Sequence, residues 1–402
     1  MTNKQKIFRT QVGIVGGGPA GLMLSHLLAK SGIDSIVLEQ RSYQEIYETH
    51  RAGILEPGSV RMLIDTGVAD RVLTDGVRHE GVSFRFDGEN HRLDFVDLVG
   101  QAVWVYPQTE VWKDLADVRA REGGDIRFLT RVTSIADVTT TPSIHVRDHE
   151  GRSGQVRCEI VVGADGSKGL CKKIVPKEHR TDYFHRYPFA WFAIMVESLP
   201  SANELIYTHS DHGFALISQR TESLQRLYFQ CDRDEDPAIW SDDRIWTELR
   251  RRMAGTDGFE LQGGPIVEKN VLGFNSYVRE PMRYGRMFLA GDGAHVVPPT
   301  GAKGLNLALA DVKVLHRALE SFFQSGSEDL LNEYSDRALE RVWRAQNFSY
   351  WMTVILHRYP DMDAFQRRRQ RADLHARFDS RAGRTLLAES YTGWPAHELV
   401  GV

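Results

Sequence analysis

Apolar residues along the chain change period several times, and the changes divide it into elements. Val12–Val15 is a short β-prone run. Leu22, Leu24, Leu27, Leu28 and Ala29 follow at spacings that suit a packed helix, and Ser35–Leu38 is a second β-prone run. The first forty residues therefore predict strand, helix, strand. From Gly81 to Asp97 polar and apolar residues alternate around Val82, Phe84, Phe86, Leu93 and Phe95, which predicts a hairpin turning at Asp87-Gly88. Val103–Tyr106 predicts a strand, Val111–Arg121 a helix, and Phe128 to Val146 two short strands. Cys158–Gly166 reads as a buried strand ending in a turn, where Asp165 on its own is an ordinary turn residue.

From Tyr183 to Glu268 the chain turns aromatic and β-branched, which predicts an antiparallel or mixed sheet with one helix, Trp240–Met253. Met287–Ala290 then has strand length, and Leu305–Leu319 helical spacing. Asp329–Arg344 and Ala345–Leu356 predict two helical segments. Their stripe, including Tyr334, Trp343, Phe348 and Trp351, is the kind usually buried in a core or a subunit interface.

With 402 residues, 42% of them hydrophobic, the chain can bury a large core and suggests two or three domains. A formal charge of -4 gives no sign of a nucleic-acid or anionic-membrane partner. No apolar run is long enough to cross a bilayer, and the N-terminus carries no apolar signal core. Cys158, Cys171 and Cys231 are scattered, with no metal spacing and no disulfide framework, which points to a reducing cytoplasm.

Two stretches carry candidate chemistry. Gly16, Gly18 and Gly21 form G-x-G-x-x-G at the first strand-to-helix turn, with Glu39 closing the second strand. This is the dinucleotide fingerprint in its full β-α-β setting. Arg286–Asp311 reads as strand, acidic turn (Gly291, Asp292, Gly293), a loop stiffened by Pro298 and Pro299, then a helix start with unpaired N–H groups. Ser218-Gln219-Arg220 and Arg226-Leu227-Tyr228 set hydroxyls and guanidiniums on adjacent predicted strands, which suits a carboxylate or an ordinary polar edge. Arg51 reads equally as a surface cation or as a group near a bound phosphate. Spacing gives Tyr391 no role.

The motifs Gly16–Gly21, Gly163-Ala164-Asp165-Gly166 and Gly291-Asp292-Gly293-Ala294-His295, together with Glu39, resemble the group A flavoprotein aromatic hydroxylases. The segments His50–Gly58, Pro107–Val111, Glu204–Arg220 and Val297–Ala308 extend the likeness from about Gln11 to Pro395. It implies an α/β fold with a Rossmann-like FAD-binding domain, an inserted sheet-based substrate domain and a helical C-terminal region. The implied boundaries are 1–79, 101–182 and 270–357 for the FAD domain, 80–100 and 183–269 for the substrate domain, and 358–402 for the last region. It also implies a cytoplasmic homodimer.

The resemblance further implies non-covalent FAD, with NADH or NADPH as reductant and no metal. On this reading Gly16, Gly18 and Gly21 line the pyrophosphate, and Glu39 binds the adenosine ribose. Arg51, Gln108 and Asp165 meet the cofactor, Asp292 its ribityl side, and Lys303, Gly304, Leu305 and Asn306 lie under the flavin. Arg226 matches a mobile arginine linked to flavin movement. Ser218, Arg220 and Tyr228 match a carboxylate-binding group, and Tyr207 and Tyr391 a chain that takes a phenol proton. His79 passes that proton to solvent, while Pro299 and Thr300 bring backbone to substrate and flavin.

The implied reaction turns 4-hydroxybenzoate into 3,4-dihydroxybenzoate with O2, by oxygen transfer from a flavin hydroperoxide. Alternatives are a hydroxylase of 3-hydroxybenzoate or 4-aminobenzoate, or a non-catalytic flavin-binding regulator. Gln40, Arg41, Lys168, Lys172 and Asn275 match the nicotinamide side, where this chain departs most from the family pattern. Thr49, Lys168, Lys172 and Asn275 stand where arginine or histidine is common, and Glu45 and Glu48 occupy a run without cations. Acids disfavour a 2′-phosphate, so NADH is expected to be accepted.

Overall fold

A computed structural model describes residues 6–49 and 53–394. Its first sheet has six strands in the order Arg283–Tyr284, Met287–Leu289, Ile160–Gly163, Val12–Val15, Ser35–Leu38, Asp125–Arg127. All pair in parallel except the outermost Arg283–Tyr284. Val12–Val15 and Ile160–Gly163 are buried along their whole length, because helices such as Pro19–Lys30 cover one face and strand Ser143–Asp148 packs on the other, where Ile144 lies against Gly13. Val15 and Leu289 both pair with Gly163, so three strands end side by side. The three glycine- and aspartate-bearing turns therefore leave the sheet along a single edge, although they are far apart in sequence.

The second sheet has eight strands. Its hairpin Gly81–Phe86 and Glu89–Asp94 turns at Asp87 (φ 54) and Gly88 (φ 80), as the Asp-Gly pair predicts. Alternation along the strands splits its core in two. Tyr187, Trp191, Tyr207, Phe214 and Tyr228 face the C-terminal helices, while Phe192, Ile194, Ile217 and Phe229 face helix Asp242–Met253. The expected domain limit at residue 270 falls inside one continuous strand, Ile266–Glu280.

Where two segments were expected, Asp329–Leu356 is one helix of 28 residues. Neither Gly nor Pro interrupts it, so nothing in its backbone calls for a break. Ala364–Phe378 and Arg381–Thr392 then fold back over the hairpin, with Phe378 packed on Phe84 and Tyr391 on Phe95, ring centres 5.0 and 5.1 Å apart. Among the described residues no helix is long and apolar enough to cross a membrane, and no cluster of ligand side chains could hold a metal.

Candidate active site

The nucleotide end is built by close backbone approach. A Cβ on Gly21 would stand 2.0 Å from the Gly16 carbonyl, and Gly16 itself has φ +107, so neither position takes a side chain. Gly18 faces open space. Glu39, 5% exposed, accepts from Gly17 N at 2.8 Å and from Arg41 N at 2.9 Å, which orients its carboxylate toward the turn. Trp112 Nε1 donates to the Gly17 carbonyl at 2.7 Å and clamps the turn from the other side.

The two aspartate turns sit beside it. Asp165 Oδ2 accepts from Cys171 N at 2.8 Å, while its buried Oδ1 has no protein partner. Half-buried Asp292 lies in the turn Gly291–Gly293. That turn is anchored by a pair the sequence reading missed: Asp311 Oδ2 accepts from Gly291 N at 2.8 Å and meets His295 Nε2 at 2.7 Å. His295 belongs to the quoted motif, but nothing in the spacing marks Asp311, a turn and a helix away, as its partner.

After the turn Pro299–Gly301, Ala302 takes φ 53, an uncommon left-handed conformation, and helix Gly304–Ser325 begins. Lys303 is partnered by the protein. Its side chain is fully enclosed, donating to Glu56 Oε1 at 2.7 Å and to the Tyr391 carbonyl at 2.8 Å. Arg341 Nη2 holds the other Glu56 oxygen at 2.7 Å. Burial would raise the Glu56 carboxyl, but these two cations outweigh it and keep it below the ordinary carboxylate range. Asn306 likewise serves the protein: its Oδ1 accepts from Glu56 N at 2.9 Å, and its Nδ2 donates to the Ile54 carbonyl at 2.8 Å. Enclosure is the physical reason for both sets of bonds, since a buried ammonium or amide must find partners within the fold.

On the second sheet Tyr207 pairs with Leu216, Leu216 with Tyr228, and Ser218 with Arg226, so these side chains share one face. Tyr207 and Tyr391 bring their hydroxyls to 2.9 Å, and burial holds both phenols above their usual range. Arg220 Nη2 donates to Tyr228 Oη at 3.3 Å. Arg226 is buried, its Nε unpartnered and its Nη2 3.6 Å from Glu268 Oε1. His79, expected to open to solvent, is 1% exposed with neither ring nitrogen partnered. Strand Val77–His79 is an edge strand of a three-stranded sheet, yet the His79 ring is buried, and burial lowers its basicity.

Gln108 opens helix Gln108–Arg121 beside Gly53. Arg51 lies outside the described residues. Of the residues expected on the nicotinamide side, Gln40 and Lys168 are exposed and Arg41 leans back on Glu39. Lys172 lies over the Tyr277 ring at 4.7 Å, and Asn275 accepts from Arg233 at 3.1 Å.

Residues 9–349 match the family model described as "FAD binding domain". The chain is 41% identical over 388 residues to p-hydroxybenzoate hydroxylase from Acinetobacter baylyi, covering 96% of each protein. This chain belongs to the group A flavoprotein hydroxylases. Two solved structures share its fold. p-Nitrophenol 4-monooxygenase from Pseudomonas putida is 22% identical with TM-score 0.77, covering 97% of this chain and 100% of that one. Aklavinone-11 hydroxylase, in a ternary complex with FAD and aklavinone, is 23% identical with TM-score 0.72, covering 87% and 69%.

A group A hydroxylase is an FAD-dependent aromatic monooxygenase that uses NAD(P)H and O2. The geometry fits the cofactor. Open space lies before Gly18 and Gly304, and no side chain caps the helix that follows either glycine, so both helix starts keep amides available to an anion. Bound FAD supplies the acceptance of a hydride and the activation of oxygen.

Replacing Glu56 by Gln leaves Lys303 and Arg341 without their anion. Unfolding in urea should show a loss of about 3 kcal/mol. Because the folded carboxyl is held below its unfolded value, its contribution should be complete above about pH 5 and fade as pH falls through the folded pKa. A Glu56→Gln protein as stable as wild type would contradict this.

Proposed function

We propose that the chain hydroxylates 4-hydroxybenzoate to 3,4-dihydroxybenzoate, consuming O2 and NADH or NADPH. One observation carries this: the enclosed Tyr207–Tyr391 hydroxyl pair, 2.9 Å apart, on the sheet face shared with Ser218 and Tyr228. The activity named for the Acinetobacter baylyi relative supports it.

In this reading Ser218, Arg220 and Tyr228 bind the substrate carboxylate, the arginine supplying its fixed fork of donors. That holds the ring so that its 4-hydroxyl meets Tyr207. The phenol proton passes to Tyr207, then Tyr391, then toward His79. Raised phenol pKa values keep both tyrosines neutral, so they relay a proton by exchange rather than by standing ionised. His79, neutral and unpartnered, suits an acceptor at the end of the chain. Loss of that proton pushes electron density onto the ring carbon beside the oxygen, where an electrophilic oxygen is taken up. Pro299 and Thr300 border that carbon with their backbone, and the enclosure of both tyrosines excludes water.

For the cofactor, we assign Gly16, Gly18 and Gly21 to the pyrophosphate and Glu39 to the adenosine ribose. Arg51, Gln108, Asp165, Asp292, Arg226 and the residues Lys303–Asn306 at the start of helix Gly304–Ser325 serve the rest, Arg226 as the arginine linked to flavin movement. The division at residues 80, 101, 183, 270 and 358 is kept as a functional one, supported by the separate hydrophobic clusters of the two sheets.

Gln40, Arg41, Lys168, Lys172 and Asn275 are proposed for the reductant. Helix Tyr43–Tyr47 opens with a capping box in which Glu45 and Ser42 bond each other's backbone, and Glu48 closes it. This acidic rim supports NADH over NADPH. Free, separated cysteines support a cytoplasmic setting. Exposed Tyr183, Phe184, Trp343 and Tyr350, with Tyr183 edge-on to Trp343 at 5.2 Å, support a homodimer through that face.

Incubation with 4-hydroxybenzoate and each reductant in turn should yield 3,4-dihydroxybenzoate, with kcat/KM at least as high for NADH. Absence of that product defeats the substrate assignment, and a large NADPH advantage defeats the reductant assignment. Tyr207→Phe should keep its FAD and lose hydroxylation about a hundredfold; an unchanged rate would remove the tyrosine from the proton path. Sedimentation should give a dimer that Trp343→Glu splits, and a wild-type monomer would rule the interface out.

A further inference from the structure

The last turns of helix Asp329–Leu356 and its C-cap residue, His357, carry a polar stripe where an apolar one belongs. Ser349, Thr353 and His357 repeat at every fourth residue, and all are 0% exposed. His357 Nε2 lies 2.6 Å from Trp191 Nε1, and its Nδ1 lies 2.9 Å from the Thr353 carbonyl. An indole nitrogen only donates, so Nε2 accepts and Nδ1 carries the hydrogen given to the carbonyl. Phe189 and Phe214 stack on the two sides of the imidazole at 4.5 and 4.3 Å. Burial pushes the ring down to about 3, which keeps this neutral tautomer in place.

Each end of the stripe reaches a different part of the substrate site. Trp191 packs on Tyr228, ring centres 5.1 Å apart, and Tyr228 accepts from Arg220. Thr353 Oγ1 hydrogen-bonds Thr300 Oγ1 at 2.9 Å, and Ser349 lies so close under Gly301 that a Cβ there would meet its Oγ at 2.4 Å. The carboxylate-recognising strands and the Pro299–Gly301 turn belong to different parts of the chain, and this helix joins them.

We propose that His357 is a positioning residue that, through Trp191 and Thr353, holds the Arg220–Tyr228 group and the Thr300 turn in one register about the aromatic substrate. The inference rests on the substrate reading above. It makes the spacing between carboxylate anchor and reacting carbon a property of the helix rather than of either loop.

The test uses holoenzyme. His357→Phe keeps the ring stack but orphans the Trp191 N–H. It should raise the 4-hydroxybenzoate dissociation constant about tenfold. It should also lower the share of consumed NAD(P)H that appears as hydroxylated product, with FAD content unchanged. His357→Gln offers an acceptor again and should recover part of both. Combining His357→Phe with Trp191→Phe leaves no orphan and should be no worse than His357→Phe alone. Wild-type affinity and product yield in His357→Phe would overturn the proposal. If that variant does not fold, Trp191→Phe decides alone: it should shift both readouts in the same direction, and wild-type values would overturn the proposal. A wild-type enzyme that binds no 4-hydroxybenzoate would overturn the substrate reading, and this inference with it.

Discussion

Parallel pairing of three four-residue-scale strands is the constraint on which the site depends. Val12–Val15, Ile160–Gly163 and Met287–Leu289 are short, apolar and buried on both faces, so their register is held by ladder hydrogen bonds and by packing on each face alike. A slip of one residue would turn every buried side chain to the opposite face. That penalty is what keeps Gly16, Asp165 and Asp292, which come from distant parts of the chain, at one edge. Long spacing in sequence costs little in precision when the strands that end there cannot slide.

Around this edge the fold spends buried charge. Glu56 is fully enclosed between Lys303 and Arg341, and the same lysine holds the carbonyl of Tyr391. Such groups rarely add net stability over an apolar core, but leaving one unpaired is severe, so the arrangement is specific. It links the start of helix Gly304–Ser325 to helix Arg381–Thr392, which carries Tyr391. The phenol pair is thus positioned from the start of helix Gly304–Ser325, not only by its own sheet. His295 and Asp311 do comparable work for the Gly291–Gly293 turn, enclosed and matched to each other.

Much of this was legible in the sequence. The fingerprint, the hairpin at Asp87-Gly88 and the adjacent strands with Ser218 and Arg226 follow from local periodicity and turn chemistry, which act over a few residues. Tyr207 and Tyr391 were named as partners only through family likeness, since no local rule joins residues so far apart. What stayed hidden was long-range pairing. Lys303 looks like a cation at a helix start until Glu56 and Tyr391 are seen beside it, and His79 looks like an exit to solvent although its ring is buried. The unbroken helix reads as two segments for a different reason: its apolar stripe changes partners midway, from the first sheet's core to the second's, and a change of partner resembles a break.

That helix, Asp329–Leu356, also limits how such an enzyme can change. Along its length of about 42 Å it holds the Leu289 carbonyl through Tyr334, Glu56 through Arg341, the Tyr277 and Val296 carbonyls through Gln346, and Trp191 through His357. One inserted or deleted residue would rotate everything beyond it by about 100°, detaching several of these contacts together. Loops elsewhere can lengthen with little penalty, but this rod has a set number of residues. Divergence in this part of the molecule must proceed by substitution, one face position at a time, and not by changes in length.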